Sequence, residues 1–316
     1  MIKTILVTGS TGFIGRAVTT ILGHKSYKVL AGCRRPRGGD MPNVVALDLD
    51  HPSEISAALK NVDVVVHCAF GEERTMASQC QSLLDAMTEA SVTKIVFFSS
   101  IAVHGEGHGP IGFYAEQKAR CEHLVAKWCE RHTENRAVIL RPGIVYGAGS
   151  HLWIEKLSQR IKAGVWGDFG VAGEGPATLI HIDDLAKVTA SAVEYLSNGG
   201  EALVAMDVVG PEVPSWNGYF NALAGRITDK PLQNVGAVGR TLLPVIGVAA
   251  KVLKRLKIPL LRKFALAPTK GELAMFARNI PYDPSVVRKI LSYEPAIGIT
   301  GGLALSLPDH ETRPDP

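Results

Sequence analysis

The sequence predicts an α/β protein with a doubly wound parallel sheet, followed by a smaller and less regular α+β region. Three observations predict this fold class. Short runs of β-branched and apolar residues alternate with helical segments in the first half of the chain. Some of these runs, such as 64–66, are apolar throughout, as in strands that helices cover on both faces. Beyond residue 165 the alternation loosens.

The elements follow one another in a regular order. A strand and then a helix are predicted at 179–182 and 183–196, and another strand at 202–209. We therefore divide the chain into a first domain of residues 1–165 and a second of residues 166–316, the two partly interleaved. The strands predicted in the first domain lie at 4–8, 29–33, 44–47, 64–69, 95–99 and 137–140.

Composition excludes several classes of protein. Hydrophobic residues make up 46% of the 316 residues and charged residues 20%, which is typical of a globular protein and not of a disordered one. The formal net charge of +4 does not call for a nucleic-acid partner. The five cysteines form no CxxC pair, so we predict neither disulfides nor a metal site.

The amino terminus and one apolar stretch bear on where the protein resides in the cell. The amino terminus leads directly into an apolar strand-like run, without the pattern of a secretion signal, and we expect a cytoplasmic protein. One apolar and basic stretch, 241–265, is punctuated by Pro244 and Pro259. It is interpreted as a helix that packs on the domain, with a peripheral contact to a membrane surface or a cap over an apolar pocket as the alternatives.

A glycine-rich turn follows the first predicted strand. Gly9, Gly12 and Gly15 precede a helical segment, and such a turn lets backbone N–H groups at a helix amino terminus bind a pyrophosphate. The spacing is GxxGxxG and not the GxGxxG of the usual fingerprint. We predict a dinucleotide site of the Rossmann type, so residues 1–165 become an NAD(P)-binding domain.

The end of the second strand bears on the choice of dinucleotide. An acidic residue there binds the 2′-hydroxyl of NAD, whereas an arginine accommodates the 2′-phosphate of NADP. This strand ends in Arg34 and Arg35, with no acidic residue before Asp40. NADP(H) is therefore favoured, through the guanidinium of Arg34, and NAD(H) is the alternative.

A tyrosine and a lysine lie four residues apart at the start of a predicted helix. This spacing puts Tyr114 and Lys118 on one helix face. An ammonium group beside a phenol favours the phenolate, so Lys118 is expected to lower the pKa of Tyr114 and make it an acid/base group. Ser99 and Ser100 end the strand before this helix, where open α/β sheets bind ligands.

At this point the chain resembles the extended short-chain dehydrogenases/reductases of the NAD-dependent epimerase/dehydratase superfamily. The Ser-Tyr-Lys triad of that family corresponds to Ser100, Tyr114 and Lys118, and its acidic adenine contact to Asp48. Its HxA element matches 67–69, its LRPxxVYG element 140–147 and its HVDDLA element 181–186. The resemblance also implies a homodimer, formed through helices that include the one at 114–131.

The motifs and the resemblance together assign the site residues. Substrate contacts are expected from His104, His108 and Ile144. Cofactor binding is expected from Gly9, Thr11, Gly12, Phe13, Ile14, Gly15, Arg34, Asp48, Leu49, Cys68, Ala69, Tyr114, Lys118, Pro142, Gly143 and Val145.

Departures from the family pattern bear on the substrate. Members that act on nucleotide-linked sugars carry Asn before the final VYG and Arg ahead of the HVxD motif, where this chain has Ile144 and the pair Ala177 and Thr178. The carboxyl-terminal segment 282–295 resembles that of hydroxysteroid dehydrogenases and dihydroflavonol reductases. We therefore expect an oxidoreductase that transfers hydride between NADP(H) and an apolar ketone or secondary alcohol.

Two other functions stay open. The first is an NAD-dependent epimerase or dehydratase of a nucleotide sugar, which would use the same site. The second is a dinucleotide-binding module without catalytic activity, although such a module does not need the complete set of Ser100, Tyr114 and Lys118.

Overall fold

The computed structural model describes residues 3–36, 43–236, 239, 241–242 and 266–307. The chain forms two compact units. The first comprises Met1–Gly143, Ile182–Val209 and Ile280–Pro295, and the second comprises Ile144–His181, Gly210–Asn279 and Ala296–Pro316. Residues 144–165, which the sequence analysis assigns to the first domain, thus fall in the second unit.

The first unit alternates strands and helices along the chain. Its elements are β1 (Thr4–Thr8), α1 (Phe13–His24), β2 (Lys28–Cys33), β3 (Val44–Ala46), α2 (Pro52–Ala58), β4 (Val64–His67), α3 (Met76–Glu89), β5 (Lys94–Phe98), a short 3₁₀ helix (Ile101–His104), α4 (Phe113–Arg131), β6 (Arg136–Pro142), α6 (Ile182–Ser197), β9 (Leu203–Val208) and α9 (Ser285–Leu291). After β6 the chain leaves this unit, and it returns to it with α6.

Seven strands of the described residues form one parallel sheet, in the order β3-β2-β1-β4-β5-β6-β9. The predicted α/β fold with a doubly wound parallel sheet is thereby confirmed. The strand order reverses between β1 and β4, where Thr8 pairs with His67. Open α/β sheets bind ligands at the carboxyl ends of the strands beside such a reversal.

Helices cover this sheet. On one side, α3 and α4 bury Leu83, Val125 and Trp128 against the strands, in one apolar cluster with Val65 and Phe97. The indole N–H of Trp128 donates to the hydroxyl of Thr88 at 3.0 Å, which satisfies the one polar atom of that side chain. Helices α1 and α6 contact each other in the same unit. The apolar strands are buried as their continuous apolar runs predict.

The second unit has a sheet of only two described strands, and its core is rich in aromatic residues. Its core contains the rings of Trp166, Phe169, Trp216, Phe220 and Phe276, with neighbouring centroids 4.9–6.0 Å apart. Its elements are β7 (Ile144–Tyr146), a π-helix (His151–Lys156), α5 (Leu157–Lys162), a 3₁₀ helix (Gly170–Gly173), β8 (Leu179–His181), α7 (Trp216–Ile227), α8 (Lys270–Phe276) and α10 (Ile299–Ser306). Strands β7 and β8 pair in parallel.

The structure bears on membrane contact in two ways. Among the described residues, no helix combines the length and the apolar character needed to cross a bilayer. The apolar and basic stretch 241–265, apart from the exposed residues Thr241 and Leu242, lies outside the described residues. The peripheral membrane contact assigned to it stays a prediction.

Candidate active site

The glycine turn between β1 and α1 is folded tightly on itself. Gly9 has a φ of +65°, and a Cβ atom there would lie 2.7 Å from the Cα atom of Ala69. A Cβ atom on Gly15 would overlap the carbonyl oxygen of Gly9. The amide of Gly12 donates to that same oxygen at 2.9 Å. Side chains are therefore excluded from the turn at Gly9 and Gly15 for steric reasons.

The amino terminus of α1 is open to an anionic ligand. Gly12 is the residue before the helix, no side chain caps it, and no acidic side chain lies in the first turn. Unpaired N–H groups and the helix dipole attract a phosphate at such an end. Thr11 is exposed and Phe13 and Ile14 are half-buried beside it. These residues fit the pyrophosphate of a nicotinamide dinucleotide, which the glycine turn could approach through its backbone alone.

The end of β2 lies beside the glycine turn. The amide and the hydroxyl of Ser10 both donate to the carbonyl oxygen of Gly32, each at 3.1 Å. Arg34 and Arg35 follow this strand directly and are exposed. The arrangement brings the Arg34 segment to the edge of the turn, as expected for a residue near the adenosine ribose.

Asp48 forms hydrogen bonds with nearby residues in a local turn. Its carboxylate accepts from the amide of Asp50 at 3.1 Å, and its own amide donates to Glu54 at 2.8 Å. Leu49, the next residue, is buried. In the structure these contacts order the segment that leads into α2.

The end of β4 carries a buried polar pair. The amide of Ala69 donates to the hydroxyl oxygen of Thr8 at 3.1 Å, and this hydroxyl lies 2.9 Å from Nδ1 of His67. Thr8 therefore donates its single hydroxyl proton to Nδ1. Burial, and secondly the charge of Lys118, lower the pKa of His67 to about 3, so the imidazole is neutral. The pair fixes the backbone of Cys68 and Ala69 against the glycine turn.

The side chains of Ser100 and Tyr114 lie near each other, and the hydroxyl of Ser100 acts to lower the pKa of Tyr114. Ser100 lies two residues beyond β5 and caps the short 3₁₀ helix, where its hydroxyl accepts from the amide of Ala102 at 3.2 Å. Tyr114 is the second residue of α4. The neighbouring Ser99 is buried, and its hydroxyl has no hydrogen-bond partner in the described part of the chain. Ser100 is thus the serine that acts on Tyr114.

Lys118 lies one helical turn beyond Tyr114 and is buried. Its ammonium group donates to the backbone carbonyl oxygen of Phe98 at 2.7 Å and lies 5.4 Å from the ring centre of Phe97. Burial lowers the pKa of Lys118, and the thiols of Cys121, Cys80 and Cys68 oppose that shift. An ammonium group has three N–H donors, so two remain for a ligand.

The pKa of Tyr114 shifts in the direction opposite to the one expected from the sequence. Burial raises it, the hydroxyl of Ser100 opposes the rise, and the nearby carboxylate of Glu73 adds to it. Lys118 is not among the groups that shift the pKa of Tyr114, and its ammonium group donates instead to the Phe98 carbonyl. The phenol is therefore held in its protonated form.

His104 ends the 3₁₀ helix that Ser100 caps. Its Nε2 atom lies 2.8 Å from Oδ1 of Asp207, a buried residue of β9. The second oxygen of Asp207 accepts from the amide of Asp283 at 2.9 Å. Arg141 lies 3.9 Å from Asp207 and also binds Glu122, with distances of 2.9 and 2.6 Å. His108, the other predicted histidine, is exposed on the following loop.

Three exposed apolar side chains lie close to Tyr114 in the sequence or contact it. Phe70, Ile111 and Phe113 are 54%, 43% and 46% exposed, respectively. The ring of Phe70 meets that of Tyr114 edge-on, with centroids 5.7 Å apart. These three exposed side chains, one of them in contact with Tyr114, offer an apolar surface to a ligand.

The remaining predicted residues lie where β6 ends and β7 begins. The amide of Gly143, after Pro142, donates to the carbonyl oxygen of Val208 at 2.9 Å within the first unit. Ile144 and Val145 are half-buried residues of β7 in the second unit, where Ile144 pairs with Leu179.

A family model decides what kind of protein this is. The model of the NAD-dependent epimerase/dehydratase family matches residues 5–205, which include the glycine turn, Ser100, Tyr114 and Lys118. The chain belongs to the NAD-dependent epimerase/dehydratase family. The predicted family is thereby confirmed, whereas the branch of hydroxysteroid dehydrogenases and dihydroflavonol reductases stays a prediction.

Individual members of this epimerase/dehydratase family are distant relatives. UDP-glucose 4-epimerase of Vibrio cholerae is 28% identical over 236 residues, 66% of this chain and 71% of that protein. A dTDP-4-dehydro-6-deoxy-D-allose reductase of a Streptomyces species is 27% identical over 296 residues, covering 76% of this chain and 88% of that protein. The crystal structure of UDP-glucose 4-epimerase from Brucella ovis in complex with NAD has a TM-score of 0.74 at 20% identity, over 97% and 98% of the two chains.

Some residues of this epimerase/dehydratase site escape prediction from sequence. Asp207 interrupts an otherwise apolar strand, and a lone carboxylate in such a strand is a usable signal. Phe70 and Glu73 follow the HxA element, and nothing in their spacing indicates contact with Tyr114. In the described ranges, no group of three potential metal ligands occurs.

Proposed function

We propose that this protein is an NADP(H)-dependent oxidoreductase that interconverts an apolar ketone and its secondary alcohol. The observation that carries the proposal is the grouping of the Ser100 hydroxyl and the Tyr114 phenol one helical turn from the buried ammonium of Lys118. A proton donor, a second hydroxyl and a cation are the groups that reduction of a carbonyl requires from a protein.

The dinucleotide would be held by the glycine turn, by the segment at Cys68 and Ala69, and by the free N–H groups of Lys118. When bound, its nicotinamide ring exchanges a hydride with the substrate carbon. The hydroxyl of Ser100 donates a hydrogen bond to the substrate oxygen and orients it. Tyr114 gives its proton to that oxygen as negative charge develops there.

The direction of the pKa shift at Tyr114 suits reduction. A raised pKa keeps the phenol protonated at neutral pH, so the residue is ready to donate. For the reverse reaction the phenol has to lose its proton first, and the cationic nicotinamide of an oxidised cofactor would then favour the phenolate. The ammonium of Lys118 would add to that effect if it moved from Phe98 toward the phenol.

The apolar character of the substrate is supported by three exposed apolar side chains that lie close to Tyr114 in the sequence or contact it. Phe70, Ile111 and Phe113 offer no hydrogen bond to a sugar diphosphate. An apolar ketone would gain by covering the exposed rings.

Substitution of Tyr114 by Phe tests the proposal. The variant keeps the ring beside Phe70 and loses the acidic proton, so kcat for reduction of apolar ketones should fall by about 100-fold or more. Affinity for NADPH, measured by calorimetry, should stay within about twofold because the hydroxyl is not needed to bind the pyrophosphate. Tyr27→Phe is a matched control, since Tyr27 lies just before β2. Unchanged turnover in Tyr114→Phe would refute the acid role.

A second candidate is an NAD-dependent epimerase of a nucleotide sugar. It is favoured by the relatives, among which two of the proteins compared are described as UDP-glucose 4-epimerases. The same Ser100, Tyr114 and Lys118 would serve it. Purified protein that carries bound NAD, and that binds UDP or dTDP in calorimetry, would support the epimerase and argue against the ketone reductase.

The predicted cytoplasmic location and homodimer stay predictions. All five cysteines are free thiols in the structure.

A further inference from the structure

The imidazole of His104 has one nitrogen engaged and one available. Nε2 faces the carboxylate of Asp207 at 2.8 Å, so it is the nitrogen that carries the hydrogen in the neutral ring. Nδ1 is then an acceptor, and within the described ranges it has no hydrogen-bond partner. The side chain is 27% exposed, whereas that of Asp207 is only 8% exposed.

The carboxylate of Asp207 is itself fixed from several directions. Its Oδ2 accepts from the amide of Asp283 at 2.9 Å, and the guanidinium of Arg141 lies 3.9 Å from its Oδ1. Arg141 is in turn held by two hydrogen bonds to Glu122. A buried carboxylate with these partners holds an imidazole in one orientation and one tautomer.

His104 shares a single helical turn with the proposed catalytic serine. Ser100 caps the 3₁₀ helix Ile101–His104 and lies near Tyr114, and His104 ends this helix. Four residues of 3₁₀ helix rise by about 8 Å. Two adjacent oxygens of one substrate can span that separation by hydrogen bonds at either end.

We propose that His104 accepts a hydrogen bond at Nδ1 from a hydroxyl group of the substrate, so that the enzyme prefers ketones with a hydroxyl beside the reacting carbonyl. The inference rests on the proposed function and narrows its substrate class to hydroxyketones. A substrate without that hydroxyl would leave an acceptor unpaired when it covers the ring, and such a loss discriminates strongly between substrates. Asp207 acts as a positioning residue for His104.

Two substitutions separate the nitrogens of His104. Gln places its terminal amide near the position of Nε2, so His104→Gln retains a donor to Asp207 and loses the acceptor at Nδ1. Asn places a polar atom near Nδ1, so His104→Asn retains an acceptor and loses the contact with Asp207. His132→Gln is the matched control, because His132 is exposed just beyond α4.

The test compares pairs of apolar ketones that differ only in a hydroxyl on the carbon next to the carbonyl. We expect wild type and His132→Gln to prefer the hydroxyketone in kcat/KM. In His104→Gln this preference should fall by about tenfold, through KM for the hydroxyketone, and kcat/KM for the plain ketone should change less. His104→Asn should recover part of the preference, and it decides the matter if His104→Gln does not fold.

The results that would contradict the role of His104 differ from those that would contradict the proposed reductase. Wild-type turnover of both ketones without preference, or a preference that His104→Gln retains, overturns the role of His104 and leaves the proposed reductase in place. An equal fall for both ketones in His104→Gln and in His104→Asn marks His104 as structural and also overturns the role. Absence of wild-type turnover of every ketone, with NADPH bound, overturns the reductase and the inference together.

Discussion

The ammonium group of Lys118 donates a 2.7 Å hydrogen bond to the backbone carbonyl oxygen of Phe98 and not to the hydroxyl of Tyr114. This lysine is only 6% exposed, and its pKa is lowered chiefly by burial. A desolvated cation destabilises the folded state at every pH below its folded pKa, since the unfolded chain hydrates that charge fully. Lys118 therefore lowers the stability of the folded protein, and its role in the proposed reaction accounts for its presence.

Replacement of Lys118 by Met should separate these two effects. The side chain keeps a similar length and loses the charge, so the free energy of unfolding should stay equal or rise. Catalysis should fall by about 100-fold in kcat/KM, because the cation beside Tyr114 is gone. Urea unfolding and steady-state kinetics measure the two quantities, with Lys127→Met, on the exposed face of the same helix, as control. A destabilised variant with normal turnover would contradict this reasoning.

The glycine turn predicts opposite results for two glycines of α1. A methyl group on Gly15 would overlap the carbonyl oxygen of Gly9, so Gly15→Ala should abolish NADPH binding in calorimetry and lower the melting temperature. Gly23 is exposed, and a methyl group there would have no neighbouring atom within 4 Å, so Gly23→Ala should stabilise the helix by about 0.5–1 kcal/mol. Equal effects of the two changes would show that the turn tolerates side chains.

Arg34 should distinguish the two dinucleotides. If its guanidinium binds the 2′-phosphate, Arg34→Ala should weaken NADPH binding by about tenfold, or ~1.4 kcal/mol, and leave NADH binding unchanged. Arg35→Ala serves as the neighbouring control of equal charge. A wild-type preference for NADH would refute the phosphate role of Arg34 and shift support to the epimerase.

The buried imidazole of His67 predicts a pH dependence of stability. Its pKa is about 3 when folded, against 6.5 for an ordinary histidine, so the unfolded chain binds the extra proton between these values. Stability from this residue is complete above pH 6.5 and is lost as the pH falls toward 3. Between pH 7 and pH 5 the loss should be about 2 kcal/mol.

Urea unfolding at pH 7, 6 and 5 measures this loss. His67→Asn should flatten the profile by the equivalent of one proton, because the amide can still accept from Thr8 and does not titrate. The exposed His132→Asn should leave the profile unchanged. A wild-type stability that is constant from pH 7 to pH 5 would show that His67 is accessible to protons in the folded state.

Much of the fold was predictable because it depends on local patterns. The apolar run at β4 and the glycine spacing after β1 each define an element without reference to distant residues. The same holds for Tyr114 and Lys118, whose spacing of four places them on one helix face. These features involve neighbours in sequence, and sequence patterns report neighbours well.

The rest of the site depends on contacts between distant segments. Asp207 meets His104 across two elements of the sheet unit, and the ammonium of Lys118 is hydrogen-bonded to the carbonyl of Phe98. Burial decides the direction of the pKa shift at Tyr114, and burial follows from packing that no local pattern contains. The boundary between the units could not be predicted from the sequence either. The chain contributes Ile144–His181 to the second unit before it returns to the first unit, where β9 joins the sheet.

The long segment of chain between β6 and β9 has a consequence during synthesis on the ribosome. Strand β6 pairs with β9 along its whole length, from Ala137 beside Leu203 to Pro142 beside Val208. Until β9 is translated, β6 has a free edge of backbone donors and acceptors, with apolar side chains from Ala137 to Leu140. Such an edge recruits strands from other chains. A chain that stops at residue 165 should therefore aggregate instead of forming a separate nucleotide-binding domain.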